Sequence, residues 1–362
     1  MPVYLAGRDE DIKNIENLFD GLMLNIPTQS VIFSGLRGVG KTVLINRLQT
    51  IAEEKGIFCR HIEVEERNDF ISQIASCSQA FLRKISTVEK FKHLIQKPLD
   101  AIKALVVSFA PGENIFSLSV QERELYTTVN LTQSLTDVFC TIGEAAGKAE
   151  TPICFFIDEI QYMKSNELGA LIAALHRANQ LGYPERLFVY KEIGSLEETQ
   201  AREAIEKPAE KMHVRYTDDA VTKIIRLTKG YPFFIQQLCQ IVYQNTSTDV
   251  IDGKCVEKNV EEFLKTLDNV FFKVRYERCS EADKKFIFAM TACGELPCTI
   301  SSVAKIMNKT VNSISTSRAQ LISKGIIYSV RYKELDFTVP EFDAYVRRLE
   351  EYQEWKKENK IR

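Results

Sequence analysis

Gly35-Leu36-Arg37-Gly38-Val39-Gly40-Lys41-Thr42 sets glycines, a lysine and a hydroxyl at the spacing G-x-x-x-x-G-K-[ST]. A loop of this kind holds a polyphosphate. Its glycines let consecutive backbone N–H groups curl around the anion, and the positive end of a following helix adds to the attraction. Lys41 would reach the β- and γ-phosphates, and the Thr42 hydroxyl would take a place on Mg2+. Gly35, Gly38, Val39, Gly40, Lys41, Thr42 and Val43 are therefore the candidate nucleotide contacts. A second chemical pair, Asp158-Glu159, follows the apolar run 153–157. Asp158 would hold the magnesium through water, and Glu159 would orient or deprotonate an attacking water. Alone, an acidic pair after a strand is a common way to open a helix. Beside the glycine-rich loop it completes the apparatus for binding and hydrolysing ATP with Mg2+.

These residues work only if strands and helices position them. Residues 31–33 read as a short strand and 43–48 as a helix, so the loop lies between a strand and a helix. The acidic pair falls at the C-terminal end of a buried strand, where an open parallel sheet places its ligands. Around them the pattern alternates, as a doubly wound α/β sheet requires. Helices are expected at 9–23, 69–84, 90–105, 131–149 and 166–181, and a strand at 58–64. A hairpin is expected at 106–120, turning at Pro111-Gly112, within an insertion spanning about 85–130. From residue 195 to about 270 the pattern becomes wholly helical, with helices at 196–206, 217–228, 232–243 and 256–267. Gly230-Tyr231-Pro232 opens the third of these, with proline at the tolerated first position.

Bulk properties exclude several classes. The 362 residues are 45% hydrophobic and 27% charged with a net charge of −2, which fits two or three ordinary domains rather than a disordered or collagen-like chain. No apolar run approaches the ~20 residues of a membrane span, and the first residues do not read as a signal peptide. The nine cysteines are scattered without a C-x-x-C pair, and Cys293 and Cys298 have no histidine nearby to complete a metal site. Free thiols and a cytoplasmic location without membrane attachment are the expectation.

The assembled motifs resemble AAA+ ATPases of the archaeal-ATPase and initiator-like clade, neighbours of the STAND signalling ATPases. Four features carry the likeness: Ala6-Gly7-Arg8-Asp9 ahead of a helix, the Gly35–Thr42 loop, Ile157-Asp158-Glu159, and Gly230-Tyr231-Pro232 followed by aromatic residues. The resemblance implies a P-loop NTPase core with a parallel sheet over 1–194, an all-helical lid over 195–270 and homo-oligomeric assembly. It also implies Arg8 and Pro232 as adenine-side contacts. Arg186, just before the last core strand, stands where such proteins often place an arginine that reaches a neighbouring subunit's γ-phosphate; a solvated surface arginine is the alternative. Members of this group carry a further strand with a polar sensor residue. Here Gly182-Tyr183-Pro184-Glu185 leaves no room for it, so a segment is expected to be absent near 183–185.

Residues 279–350 have the order of a winged helix-turn-helix, followed by a charged tail at 351–362. Helices are expected at 280–291, 300–307 and 311–324, a hairpin at 326–331 and 335–339, and a helix from Glu341. Between Glu295 and Glu334 no acidic residue occurs, whereas Lys305, Lys309, Arg318, Lys324, Arg331 and Lys333 do. Lys305, Lys309, Asn312, Ser315, Arg318 and Arg331 are the candidate contacts to duplex DNA, with cations on phosphates and short polar groups on base edges. Two readings stay open: an ATP-driven switch that binds DNA, and a STAND-like signalling ATPase whose winged helix contacts a protein effector.

Overall fold

A computed structural model describes residues 4–26, 28–65, 69–110, 130–180 and 188–359. The chain divides into two compact units, residues 1–34 with 41–192, and residues 35–40 with 193–362.

The first unit alternates helices and parallel strands in the order α1 (Asp9–Met23), β1 (Ser30–Ser34), α2 (Lys41–Glu54), β2 (Phe58–Glu63), α3 (Phe70–Ser86), α4 (Gln96–Phe109), α5 (Leu131–Lys148), β3 (Ile153–Asp158), α6 (Ser165–Gln180) and β4 (Phe188–Glu192). Each helix starts and packs for legible reasons. Asp69 caps α3 by accepting from the Ile71 backbone N–H at 3.1 Å, and Asn130 caps α5 by accepting from that of Gln133. Leu44, Ile45, Leu48, Ile51 and Ala52 give α2 one buried face. Phe70, Ile74, Phe81, Ile102, Leu105, Leu135, Val138 and Ala174 build a continuous core through α3, α4, α5 and α6.

Two expectations change here. Val106 to Phe109 do not begin a hairpin but complete α4, because Ile102, Leu105 and Val106 form one helical face buried in the core. Residues 111–120 lie outside the described residues. The expected helix at 90–105 also starts as a 3-10 turn, Glu89–Leu94, before α4.

The strands pair in two parallel sets. Residue Ser30 faces Phe188 across β1 and β4, and Phe58 faces Ile153 across β2 and β3. Among the described residues no ladder joins one set to the other. Tyr183, Glu185 and Arg186 lie outside the described residues.

The second unit contains α7 (Glu198–Lys211), β5 (Arg215–Tyr216), α8 (Asp218–Thr228), α9 (Pro232–Gln244), β6 (Val250–Ile251), α10 (Gly253–Thr266) and α11 (Lys273–Tyr276). Its helical region is not wholly helical: β5 and β6 pair in parallel. A π-helical stretch, Leu267–Phe272, leads into α11. The remaining elements are α12 (Glu281–Ala292), β7 (Cys298–Thr299), α13 (Ile300–Ile306), α14 (Ser315–Ser323), β8 (Ile327–Arg331), β9 (Glu334–Phe337), α15 (Phe342–Arg348) and α16 (Glu350–Glu358). The hairpin strands join β7 in an antiparallel sheet of order β7-β9-β8. The helix expected at 311–324 is shorter: a 3-10 turn at Asn312–Ile314 precedes α14. Gly325 then stops α14 at φ 64°, a conformation glycine adopts at no steric cost.

The expected charged tail is instead largely α16, whose Tyr352 is buried and whose Tyr352 and Trp355 rings lie 5.5 and 5.6 Å from Phe288. Aromatic contacts continue through the unit. Phe272 lies 6.2 Å from Phe234 of α9 and 5.9 Å from Phe342 of α15, and stacks on Tyr345 at 5.3 Å. Large rings reach across gaps that aliphatic side chains would leave open, so α15 shares one core with α9.

Asp283 secures α12. Its carboxylate accepts from the Ser280 backbone N–H at 3.0 Å and from Lys324 Nζ at 2.6 Å, and the residue is fully buried. Burial alone would raise its pKa, but the bonds from Lys324 and Ser280 leave it below the ordinary carboxylate value. This stabilisation is complete at neutral pH and is lost as pH falls through the carboxylate range, about 4 and below. Asp283→Ala should therefore lower stability by about 2 kcal/mol at pH 7. The deficit against wild type should shrink at pH 3, as read by urea titration at both values.

Candidate active site

The apolar β3 carries Asp158 on its last position, and the residue is 8% exposed. Strand pairing holds it, because the Val64 backbone N–H donates to the Asp158 carbonyl at 3.1 Å. One carboxylate oxygen accepts from the Glu159 backbone N–H at 2.9 Å, and the other accepts from the Thr42 hydroxyl at 2.7 Å. Thr42 stands in the first turn of α2, so two motifs 116 residues apart meet within a hydrogen bond. A hydroxyl beside a carboxylate is a hard oxygen set of the kind Mg2+ takes, with substrate phosphates completing the shell. No cluster of three or more His, Cys, Asp or Glu able to hold a metal exists among the described residues.

Glu159 sits in the left-handed region at φ 56°, ψ 37°, and Gln161 Nε2 donates to its carboxylate. A non-glycine residue held there at a strand end is strained by about 1 kcal/mol or more. The turn fixes where the carboxylate leaves the strand. Lys41 opens α2, and Val43, also in its first turn, is half-buried. Arg8 precedes α1 and is 7% exposed. Burial lowers its pKa, and Asp11 partly opposes that.

The glycine-rich loop itself, 35–40, belongs to the second unit. Its glycines are there for close approach. A Cβ on Gly35 would lie 2.0 Å from the Ile193 carbonyl oxygen, inside any possible contact. One on Gly38 would lie 3.1 Å from Tyr231 Cε1, 3.2 Å from Phe233 Cβ and 3.3 Å from the Tyr231 hydroxyl. A Cβ on Gly40 would meet none of the described residues beyond its chain neighbours within 4 Å. Val39 is 1% exposed and anchors the loop, and Arg37 touches the turn at Gly325, with its guanidinium 3.6 Å from the position of a Cβ there. Pro232 begins α9 with Tyr231 as the residue before it. A Cβ on Gly230 would lie 2.3 Å from the Leu196 carbonyl oxygen, and the Leu196 N–H donates to the Gly230 carbonyl at 2.8 Å. The Gly230 turn is thus held against Leu196 by main-chain contact. Tyr231 entered the sequence reading only as the middle of the Gly230-Tyr231-Pro232 motif and Phe233 only within the aromatic run after it; neither was given a role.

Of the expected DNA contacts, Lys305, Lys309, Asn312, Ser315 and Arg331 are exposed. Arg318 is half-buried, and its guanidinium donates to the Ser329 hydroxyl at 3.0 Å. Lys324, counted in the basic run, is committed to Asp283. Ser315 donates to the Asn312 carbonyl at 2.7 Å. Sequence did not single out Tyr332, which is 87% exposed between β8 and β9.

A glycine-rich G-x-x-x-x-G-K-[ST] run leading into a helix whose first-turn hydroxyl bonds a strand-end aspartate is the pattern of a P-loop ATPase. The family described as "AAA ATPase domain" matches residues 4–190, more than half of the chain, and the chain belongs to that family. A second match, "Domain of unknown function (DUF8462)", covers residues 269–346. No curated protein matches the sequence. Among solved structures, a Walker-type ATPase of Pyrococcus abyssi is similar in fold, with 13% identity, 95% of this chain and 96% of that one covered, and a TM-score of 0.54. The RuvB Holliday junction branch migration motor of Thermotoga maritima aligns at 13% identity over 94% and 95% of the chains, TM-score 0.40. The Orc1 protein of Aeropyrum pernix in complex with DNA aligns at 13% over 98% and 95%, TM-score 0.38. No helix among the described residues is long and apolar enough to cross a membrane.

The loop contacts give unequal expectations for alanine. Gly40→Ala meets no neighbour and should cost about 1–2 kcal/mol through its positive φ alone. Gly35→Ala must in addition displace the Ile193 carbonyl and should cost more. Thermal melts of the nucleotide-free protein check this, and equal losses would count against the described packing.

Proposed function

We propose that the chain is an Mg2+-dependent ATPase acting as a nucleotide-controlled switch, with a winged helix at 279–350 that binds duplex DNA. The observation that carries the switch is that the phosphate loop packs in one unit with the lid and the C-terminal elements. Gly38 lies against Tyr231 and Phe233, Arg37 touches the turn ahead of β8, and Lys229 pairs with Glu341 at the start of α15. A phosphate entering the loop therefore acts on groups in contact with the hairpin. The ion pair, largely exposed, positions the elements more than it stabilises them.

In this reading the loop amides of Gly35, Gly38, Val39 and Gly40 hold the phosphates, Lys41 offsets their charge, and Val43 lines the site. Thr42 and Asp158 would hold Mg2+, which supplies charge neutralisation at the β- and γ-oxygens when bound. Glu159 orients the water and accepts its proton. Arg8 and Pro232 contact the adenine side, and Arg186 serves a neighbouring subunit of a homo-oligomer. Lys305, Lys309 and Arg331, all exposed, are assigned to DNA phosphates, and Asn312 and Ser315 to the groove. Arg318 is reassigned to bracing the hairpin through Ser329. The second reading, a signalling ATPase with a protein effector on the same domain, is favoured by the exposed Tyr332 and by Val311, 41% exposed.

Hydrolysis measured with and without duplex DNA tests this. Lys41→Ala should lose ATP binding, whereas Glu159→Gln should keep binding and lose about 10²-fold or more in kcat. Joint reversal of Lys305, Lys309 and Arg331 to Glu should abolish DNA stimulation and lower the salt slope of DNA binding by about 3. DNA-indifferent turnover, with a partner retained at high salt, would replace the DNA reading by the signalling one.

We also propose that a segment carrying a further core strand is absent near Tyr183–Glu185. The pairing supports this: β1 bonds β4, β3 bonds β2, and no ladder joins β1 to β3 among the described residues. Such a segment needs a strand of about 5 residues and a crossover of about a dozen or more. Sequencing of the coding region and intact-mass measurement should reveal it; an active protein weighing only its 362 residues would refute it.

A further inference from the structure

The hydroxyl of Tyr231 is buried with no hydrogen-bond partner among the described residues, and the residue is 0% exposed. Buried hydroxyls are nearly always paired, so an orphan invites a functional explanation. Its surroundings say what it meets. The hydroxyl lies 3.3 Å from the point where a Cβ on Gly38 would stand, against the middle of the phosphate loop. The ring is fixed on its other side by Phe234, with centroids 4.8 Å apart. The backbone around it is fixed as well, by Gly230 against Leu196 and by Pro232 at the start of α9. The donor is therefore rigid, desolvated and directed at a loop whose residue types bind polyphosphate.

We infer that Tyr231 is a phosphate-sensing residue of the lid: its hydroxyl donates to a phosphate oxygen of the nucleotide held by the Gly35–Gly40 loop. This rests on the nucleotide reading above and deepens it by naming a contact that the loop motif does not contain. Burial raises the pKa of the phenol, an effect Arg275 partly opposes, so the group remains a neutral donor. Without nucleotide the hydroxyl has no acceptor. With nucleotide it gains a charged one, and the exchange couples the loop to α9 and to Phe233, which stacks on Phe271 at 4.6 Å.

Tyr231→Phe removes the hydroxyl and keeps the ring. Titration calorimetry with ATP, ADP and adenosine, each with Mg2+, would be run on wild type, Tyr231→Phe and Lys41→Ala, beside thermal melts of the nucleotide-free proteins. The inference predicts about a 10-fold or greater loss of ATP affinity in Tyr231→Phe. Adenosine affinity should be unchanged, and the nucleotide-free melting temperature equal to or above wild type. Unchanged ATP affinity in Tyr231→Phe, or a lowered nucleotide-free melting temperature, would overturn it and leave the nucleotide reading intact. Wild type binding ATP no better than Lys41→Ala would overturn both.

Discussion

Everything downstream in this chain depends on how closely the backbone of the phosphate loop can be approached. Gly35 stands where any Cβ would collide with the Ile193 carbonyl, Gly38 where it would press on Tyr231 and Phe233, and Gly230 where it would collide with the Leu196 carbonyl. At these three places a missing side chain lets main chain or aromatic ring close against main chain. The same glycines that would let N–H groups surround a phosphate thus pack the loop against Ile193 and the Gly230-Tyr231 turn. Function and packing compete for one short stretch of backbone.

This accounts for the division of the motif. Gly35–Gly40 groups with residues 193–362, while Lys41 and Thr42 begin a helix of the first unit. The hydroxyl of Thr42 and the carboxylate of Asp158 are already joined there at 2.7 Å. The chemistry that would hold a cation is therefore preorganised by strand pairing and a helix start. The groups that would report on phosphate belong to the lid and its aromatic core.

The glycine-rich loop and the Asp158-Glu159 pair were the most legible part of the sequence, because each is a fixed local pattern, and the family match over residues 4–190 agrees with the class they indicate. Helix positions were nearly as plain, since their ends are set locally: Asp69, Asn130 and Ser280 cap helices by hydrogen bonding, and Gly325 stops α14 by its φ. Where neighbours distant in sequence decide, sequence misled. Val106 looked like the start of a hairpin, yet core packing with Leu135 and Val138 keeps it helical. The C-terminal residues read as a charged tail because their charges outnumber Tyr352 and Trp355, although those two rings dock the helix on Phe288. Arg318 read as a DNA-facing cation and Lys324 as part of the basic run, but Ser329 and Asp283 engage them. Tyr231 read as the middle of a turn motif, and nothing local reveals that its hydroxyl is orphaned against Gly38.

The central claim is that the phosphate loop and the Gly230-Tyr231-Pro232 turn form one nucleotide-reading element. Amide hydrogen exchange of the full chain, with and without ATP and Mg2+, tests it most directly. The account predicts that residues 35–40 and 230–235 gain protection together on adding nucleotide. Protection of 35–40 with 230–235 unchanged would contradict it.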